Sequence, residues 1–354
     1  MKNLLLIYEV DEEYIKRVLS FFKFFCLKEV LPLNFYAKKW LKGRILDETL
    51  FVDDNFNIQT TKIKNLDCFH FSFILSLNQE FEHQNHKRIS EYLKKYKINQ
   101  LNPFSASFFS SNKYRTIEKL RKFNIYTPSS IFIEFKDRKR LKENVEKFII
   151  NQKTDGFYIQ PNYGTEGKQT YFFTKKEIIE NFDFLIETIM SILPEQPVII
   201  KEKRGNIYYY KEEEKIRGYR EIVLRFFIFE YGKKVFSNWC FFEISDNEKI
   251  PITSSYKGGK ILNFEDVKNN LYYRTGEDFK KFVMLETHKT QIISEITKIF
   301  KFFNMGLKGK LKIGGIDILL EVDGKDLKII FLELNPRPSG IDKLDLFAKI
   351  SPSM

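Results

Sequence analysis

The feature that most constrains the fold of this chain is a pair of apolar runs near its end, in the sequence GGIDILLEVDGKDLKIIFLELNPR. The central VDGKD is a turn sequence, so residues 315–322 and 327–334 are predicted to pair as an antiparallel hairpin. Both strands read as buried, yet the second one carries a carboxylate at Glu333. A buried carboxylate needs a cation or hydrogen-bond donors nearby, so this hairpin is expected to carry a functional site.

The alternation of side chains along the two strands predicts a metal site. Successive residues of a strand face opposite sides, so Phe331, Glu333 and Asn335 are expected to share one face. Asp317 of the first strand is then expected to lie opposite Glu333 across the hairpin. Carboxylate and amide oxygens are the ligands that Mg²⁺ prefers, and Mg²⁺ commonly binds together with nucleotide phosphates. The alternative, in which Glu333 is a solvated charge on an edge strand, fits poorly because its neighbours are apolar.

The segment FLELNPRPSG at residues 331–340 resembles the C-terminal metal motif of the ATP-grasp superfamily. The resemblance extends, motif by motif and in order, over about residues 100–354. It implies a two-lobed ATP-grasp fold in which Asp317, Glu333 and Asn335 hold one or two Mg²⁺ (or Mn²⁺) ions on the phosphates of ATP. It also implies that Arg337 binds the substrate carboxylate or its acylphosphate.

A second part of that pattern lies in FYIQPNYGTEGKQTYFF, residues 157–173, which reads as a strand, a glycine loop and a second strand. Glycine lets backbone N–H groups approach phosphate oxygens, and the resemblance implies that a loop in this place covers the phosphates of the nucleotide. A plain β-turn is the alternative, and the spacing is not that of a Walker A loop. The loop residues assigned to the nucleotide are Gly164, Thr165, Gly167 and Lys168.

The residue before this loop departs from the family pattern. ATP-grasp proteins usually have Lys-Pro there, whereas this chain has Gln160 and Pro161. Glutamine can donate a hydrogen bond but carries no charge, so Lys168 or Lys201 is expected to compensate, or the activity to be altered. The strand PVIIKE resembles the hinge between the lobes, and its Glu202 is assigned to the base or ribose.

Two further cations complete the predicted site. The segment NPFSASFFSSNKYRTIEKL resembles the entry to the nucleotide domain, where Lys113 takes the place of a lysine that reaches the phosphates. In YREIVLRFFIFEYGKKV, alternation puts Glu221 and Arg225 on one face of a strand and Arg220 on the other. The family carries an arginine on such a strand, and Arg225 fits its register better than Arg220. The alternative for Lys113 is a solvated lysine in the first turn of a helix. The alternative for Arg225 is a surface ion pair with a glutamate.

The resemblance implies an ADP-forming carboxylate-amine ligase. In such enzymes a carboxylate attacks the γ-phosphoryl group of ATP, and an amine or another nucleophile then displaces phosphate from the acylphosphate. Arg225 and Arg337 would be the catalytic residues. The alternatives are a phosphotransferase that releases a phosphorylated product and an ATP-binding protein without turnover. The expected partners are ATP, a small-molecule carboxylate and an amine, and a homodimer is compatible with the sequence.

Length and strand pattern predict the domain organisation. A chain of 354 residues exceeds the usual single core. Residues 3–8 and 68–77 read as apolar strands, each followed by a helical pattern, which predicts a small parallel α/β domain over residues 1–105. The ATP-grasp domain is assigned to residues 106–354, with a small lid lobe at about 130–202.

Composition bears on partners and location. The net charge of +12 raises nucleic-acid binding as a more distant alternative. Lysine is mixed with glutamate along the chain, however, and aromatic residues follow apolar faces, which disfavours it. Three widely spaced cysteines and the lack of an apolar stretch of about 18 residues predict a cytoplasmic protein without a membrane partner.

Overall fold

The computed structural model describes three sheets and the helices that cover them. The residues that it describes are 2–9, 11–64, 71–75, 79–163, 167–337, 340–341 and 343–350. Within these ranges no helix combines the length and the apolar character that crossing a bilayer requires.

The N-terminal region forms a five-stranded sheet with two helices. Its elements are β1 (Lys2–Tyr8), α1 (Glu12–Lys28), β2 (Leu33–Leu41), β3 (Arg44–Val52), β4 (Ile58–Lys62), β5 (Phe71–Leu75) and α2 (Gln79–Lys95). Strands β2, β1 and β5 run parallel, as predicted, while β3 and β4 extend the sheet with antiparallel strands. The predicted strand at 68–77 is present at residues 71–75, and residues 68–70 and 76–77 lie outside the described part of the chain.

Aromatic packing joins this N-terminal sheet and its helices to the rest of the molecule. The rings of Phe21 and Phe25 on α1 meet the ring of Phe227 edge-on, at centroid distances of 5.0 and 5.2 Å. The indole N–H of Trp239 donates a 2.7 Å hydrogen bond to Oε1 of Glu29. Buried aromatic pairs of this kind stabilise a contact beyond the area that they remove from water. The two parts of the chain therefore share one hydrophobic core.

Two short helices, α3 (Phe104–Ser111) and α4 (Lys113–Arg121), lead into the lobe that follows. The side-chain oxygen of Asn112 accepts the N–H of Arg115 at 2.9 Å and so caps α4. The cap makes Lys113 the first residue of the helix, where its side chain is buried rather than solvated.

The small lobe is an antiparallel sheet in the order β6-β9-β7-β8, covered by helices. Its elements are β6 (Ser130–Ile133), α5 (Leu141–Ile150), β7 (Gly156–Pro161), β8 (Tyr171–Thr174), α6 (Lys175–Glu180), α7 (Phe182–Ile192) and β9 (Val198–Glu202). The strand, loop and strand predicted at residues 157–173 correspond to β7 and β8, and the helical segment that follows is broken into α6 and α7. The break occurs at Asn181, whose side chain accepts the N–H of Phe184 at 3.2 Å and caps α7.

The large lobe is built on a nine-stranded antiparallel sheet. Its strands are β10 (Ile207–Tyr209), β11 (Arg220–Tyr231), β12 (Lys234–Ile244), β13 (Lys260–Leu262), β14 (Leu271–Thr275), β15 (Asp278–Lys281), β16 (Ile313–Asp323), β17 (Asp326–Asn335) and β18 (Ala348–Lys349). Its helices are α8 (Phe264–Lys268) and α9 (Glu286–Asn304). Strand β11 lies between β12 and β16 in this sheet, and its side chains alternate between the two faces.

The predicted hairpin is formed by β16 and β17, with Asp317 directly opposite Glu333. A bulge follows, because the next pair in the register is Ile318 with Phe331, which leaves Leu332 as an extra residue in β17. The extra residue reverses the alternation. Phe331 therefore packs in the core, and the prediction that it shares a face with Glu333 is wrong.

Candidate functional site

A cavity of about 450 Å³ lies between the small and the large lobe. It collects ten of the predicted site residues, which are far apart in the sequence: Lys113, Gln160, Gly167, Lys201, Glu202, Arg225, Asp317, Glu333, Asn335 and Arg337. Lys168 does not line the cavity, and its ammonium lies 5.8 Å from the ring centroid of Tyr256. Gly164 and Thr165 lie outside the described residues.

An oxygen-rich corner forms where β16 and β17 pair. The amide nitrogen of Asn335 donates to Oδ2 of Asp317 at 3.3 Å and to Oε1 of Glu333 at 3.1 Å. Turning this amide over would direct its oxygen at the same point. Within the described ranges no group of three or more His, Cys, Asp or Glu side chains is arranged to hold a metal. The donor set is therefore two carboxylates and one amide, which suits Mg²⁺ and not a nitrogen- or sulfur-preferring ion.

The two carboxylates of this corner respond differently to their surroundings. Burial raises the pKa of Asp317, and the nearby Glu333 charge adds to that effect, although Arg225 opposes it. Burial also acts to raise the pKa of Glu333, but Lys113, Lys201 and Arg225 outweigh it and the pKa is lowered. Two close, buried carboxylates repel each other, and a cation between them would relieve that repulsion.

Arg225 on β11 forms the wall beside this corner. Its Nε and Nη2 donate to the two carboxylate oxygens of Asp317, both at 2.6 Å, and its Nη1 lies 2.9 Å from Oε1 of Glu243. Burial disfavours the charge on Arg225, but the two carboxylates outweigh burial and raise its pKa. Arg220 points away from the cavity and pairs with Glu214 at 3.1 Å. The face predicted for Arg225 is thus the one that lines the cavity.

Positive side chains of the small lobe and α4 face the carboxylate corner. Nζ of Lys113 lies 3.8 Å from Oε2 of Glu333. Lys201 on β9 is 7% exposed, and burial lowers its pKa to about 8, an effect that Glu333 opposes and Lys113 strengthens. Of the two lysines considered as substitutes for the family lysine, Lys201 lines the cavity and Lys168 does not.

Gln160, which stands where the family usually has lysine, is buried at the cavity wall. Its Nε2 has no hydrogen-bond partner among the described residues. A buried donor left without an acceptor costs about 1–3 kcal/mol. An oxygen of a molecule in the cavity would satisfy it.

An apolar slot beside the hinge forms another part of the cavity. Val223, Leu319 and Leu332 belong to one small cluster and line the slot. Oε1 of Glu202 accepts the N–H of Ser129 at 2.8 Å, so this carboxylate braces the hinge from within the protein. An apolar slot with a few polar groups at its edge can take a flat aromatic ring.

Arg337 lies at the end of the cavity next to the N-terminal region, which contributes Tyr14 to the lining. Burial lowers the pKa of Arg337 to about 10. Its Nη1 lies 3.4 Å from Nδ1 of His86 on α2. The guanidinium remains charged near neutral pH and can bind an anion at this end.

Comparisons with known proteins agree with this architecture. No protein-family model and no curated protein matches the chain. Among solved structures, the VanG D-Ala:D-Ser ligase from Enterococcus faecalis has a TM-score of 0.56 at 13% identity, with 95% of this chain and 90% of that chain covered. D-cycloserine synthetase DcsG has a TM-score of 0.55 at 11% identity, with 98% and 95% covered. ATP-grasp ligase PsnB, complexed with a minimal precursor, has a TM-score of 0.51 at 12% identity, with 98% and 93% covered.

This chain has an ATP-grasp fold. At these identities the likeness is one of fold, and the chemistry has to be argued from the residues. The cavity lies between the two lobes of the ATP-grasp fold, and the small lobe reaches over it. The hydroxyl of Tyr158 donates to the carbonyl oxygen of Pro251 at 2.9 Å. Gly167, with a φ of +67°, approaches Ser254 so closely that an added Cβ would lie 2.7 Å from its Cβ.

The cavity of this ATP-grasp fold also contains polar residues that the sequence interpretation missed, chiefly Glu243, Tyr158 and Thr253. A signal for Glu243 was present, because it lies in the apolar run WCFFEI just as Glu333 lies in IIFLEL. Burial raises the pKa of Glu243 to about 7, while Arg225 opposes that rise. Nothing local marks Tyr158 or Thr253, which reach the cavity through the packing of distant segments.

Proposed function

We propose that this protein is an ATP- and Mg²⁺-dependent ligase that activates a substrate carboxylate as an acylphosphate and joins it to an amine or another nucleophile. The observation that carries the proposal is the convergence of an oxygen-donor corner and of buried cations on one interlobe cavity of an ATP-grasp fold. The similar solved structures named above are ligases or a synthetase, which supports the same reaction class. Phosphoryl transfer depends on charge neutralisation and positioning, and both are available here.

The oxygen-donor corner is the proposed metal site. Asp317 and Glu333 would bind through carboxylate oxygens and Asn335 through its amide oxygen. Bound there, Mg²⁺ would neutralise charge on the β- and γ-phosphates of ATP. The residues fit this ion because the corner offers oxygen donors whose mutual repulsion a cation relieves.

The cations on the opposite side would hold the nucleotide phosphates. Lys113 and Lys201 lie around Glu333, and the depressed pKa of Lys201 reflects a buried charge that phosphate oxygens would stabilise. Gln160 would donate its unpaired N–H to the same group. In this arrangement Lys201 replaces the lysine that the family has at the Gln160 position, and the apolar slot beside Glu202 would take the adenine.

The two arginines would act on the reacting groups. Arg337, at the end of the cavity nearest the N-terminal region, would bind the substrate carboxylate, and Arg225 would stabilise the transferring phosphoryl group. Gly167 of the small lobe and Ser254 of the large lobe approach each other at the wall of the cavity, and would limit the entry of water there. Excluding water there would protect an acylphosphate from hydrolysis until the amine attacks.

An ADP-release screen with Mg²⁺ tests the proposal. The purified protein is given pairs of amino acids, sugar acids and amines, and both ADP and the joined product are measured. ADP formation should require a carboxylate and should disappear in Asp317→Asn. The matched control is Asp323→Asn, which alters an exposed carboxylate at the far end of the same strand.

The outcomes separate the candidate functions. A stable phosphorylated product that forms without any amide would identify a phosphotransferase. ATP binding without turnover would identify a binding protein. An absence of ATP binding in calorimetry would overturn the proposal.

A further inference from the structure

Glu243 is a buried carboxylate in the cavity whose role the proposed reaction leaves unassigned. It lies near the end of β12, and its side chain is 13% exposed. The hydroxyl of Thr253 hydrogen-bonds to it, and Arg225 lies 2.9 Å away. A carboxylate so placed costs free energy unless its partners hold it, so the Glu243–Arg225 pair needs an explanation.

Arg225 lies between two carboxylates that belong to different strands. A guanidinium offers five N–H donors in a fixed plane, and Asp317 uses the edge formed by Nε and Nη2. Glu243 faces the remaining nitrogen, Nη1. Because β11 runs between β12 and β16, one arginine joins the three central strands of the sheet through its side chain.

A metal ion held in this corner would need carboxylate oxygens that Arg225 already contacts. Asp317 gives both carboxylate oxygens to Arg225, at 2.6 Å each, and the metal would use those oxygens as well. A divalent cation there would repel the guanidinium across a single carboxylate. Arg225 would then lose part of its pairing with Asp317, and a buried cation that loses its partner is strongly destabilised.

Glu243 is suited to receive Arg225 in that state. It already contacts Nη1, so the guanidinium needs only to shift its pairing and not to leave the cavity wall. Its contacts are with Thr253 and with Nη1 of Arg225, whereas Asp317 is bound by the other edge of the guanidinium. We propose that Glu243 is a positioning residue that holds Arg225 at the reacting phosphoryl group while the metal occupies Asp317.

This inference rests on the proposed function, and a binding measurement tests it without turnover. Affinity for the non-hydrolysable analogue AMP-PNP is measured by calorimetry with Mn²⁺ and with EDTA, and the ratio of the two affinities gives the gain due to metal. Glu243→Gln keeps the size and a hydrogen-bonding group but removes the charge. The gain should fall about tenfold or more, as for other residues that support metal ligands. The affinity in EDTA should stay close to that of the wild type.

A double-mutant cycle separates positioning from a merely structural role. If Glu243 acts through Arg225, then Glu243→Gln should change the metal-dependent gain little in an Arg225→Gln background. The matched control is Glu230→Gln. Glu230 also lies on β11, but it pairs with Lys312 and is outside the cavity. Thermal unfolding of each variant confirms that the folded state is being compared.

The outcomes separate this inference from the proposed function. An equal or larger gain in Glu243→Gln, or a loss that persists in full without Arg225, would overturn the inference alone. A wild-type protein that binds AMP-PNP no better with Mn²⁺ than with EDTA would overturn the proposed metal site, and the inference with it.

Discussion

Replacing Lys201 by methionine should stabilise the empty protein while removing its response to ATP. Lys201 is 7% exposed, and burial lowers its pKa from 10.5 to about 8. The pKa falls from 10.5 to about 8, and each pKa unit corresponds to about 1.36 kcal/mol. The charge on Lys201 therefore lowers the stability of the folded protein by about 3 kcal/mol near neutral pH. Methionine has a similar length and no charge, so Lys201→Met should raise the free energy of unfolding by up to about that amount.

The effect should depend on pH in a defined direction. The pKa of Lys201 is lower in the folded than in the unfolded protein. Its charge therefore destabilises the folded state most below pH about 8, where both states carry the proton. The cost shrinks as the pH rises from about 8 towards 10.5, where the folded protein holds a neutral amine. Urea unfolding at about pH 7 and about pH 9.5 should therefore show a larger advantage of Lys201→Met at the lower pH.

The same variant should lose its stabilisation by ATP. A ligand that binds only the folded state raises stability in proportion to the logarithm of its concentration over its dissociation constant. Wild type with Mg²⁺ should gain thermal stability on adding ATP, and Lys201→Met should gain much less. Lys176→Met, on the exposed face of α6, is the control. A variant that is less stable than wild type at neutral pH, or that still responds fully to ATP, would refute the reasoning.

Three further substitutions probe other parts of the account. Gln160→Lys should lower the stability of the empty protein in urea unfolding, because it adds a second buried cation to the face of the small sheet that carries Lys201. An unchanged stability would contradict this. Gly167→Val should raise the KM for ATP in steady-state assays, since its φ of +67° and its close approach to Ser254 exclude a branched side chain. An unaltered KM would argue against a role of this segment in binding ATP. Phe25→Ala should lower the free energy of unfolding by about 3–5 kcal/mol in urea. A loss of under about 1 kcal/mol would contradict the claim that the N-terminal region and the large lobe share one hydrophobic core.

The sequence predicted the hairpin and its polar corner because both depend on local signals. A turn sequence between two apolar runs fixes the pairing, and the pairing brings Asp317 opposite Glu333. The alternation along β11 likewise identified the face of Arg225. The bulge at Leu332 was missed, since one extra residue leaves no mark on the hydrophobic pattern, and it sent Phe331 into the core.

Features that arise from long-range packing escaped the sequence interpretation. Strands β3 and β4 extend the N-terminal sheet with mixed polar and apolar residues, which resemble loop sequence. The choice between Lys168 and Lys201 could not be made because it depends on how β9 lies beside β7 in the small lobe. Glu243 becomes meaningful only once β12 and β16 are placed on either side of β11.

Calorimetric titration of ATP into the wild-type protein and into Glu333→Ala, each with and without Mg²⁺, tests the central claim most directly. The account predicts that wild type binds ATP more tightly with Mg²⁺ than without it. It also predicts that Glu333→Ala loses this difference, whereas Asp323→Asn keeps it. No binding of ATP to the wild-type protein, or an equal benefit from Mg²⁺ in Glu333→Ala, would contradict the account.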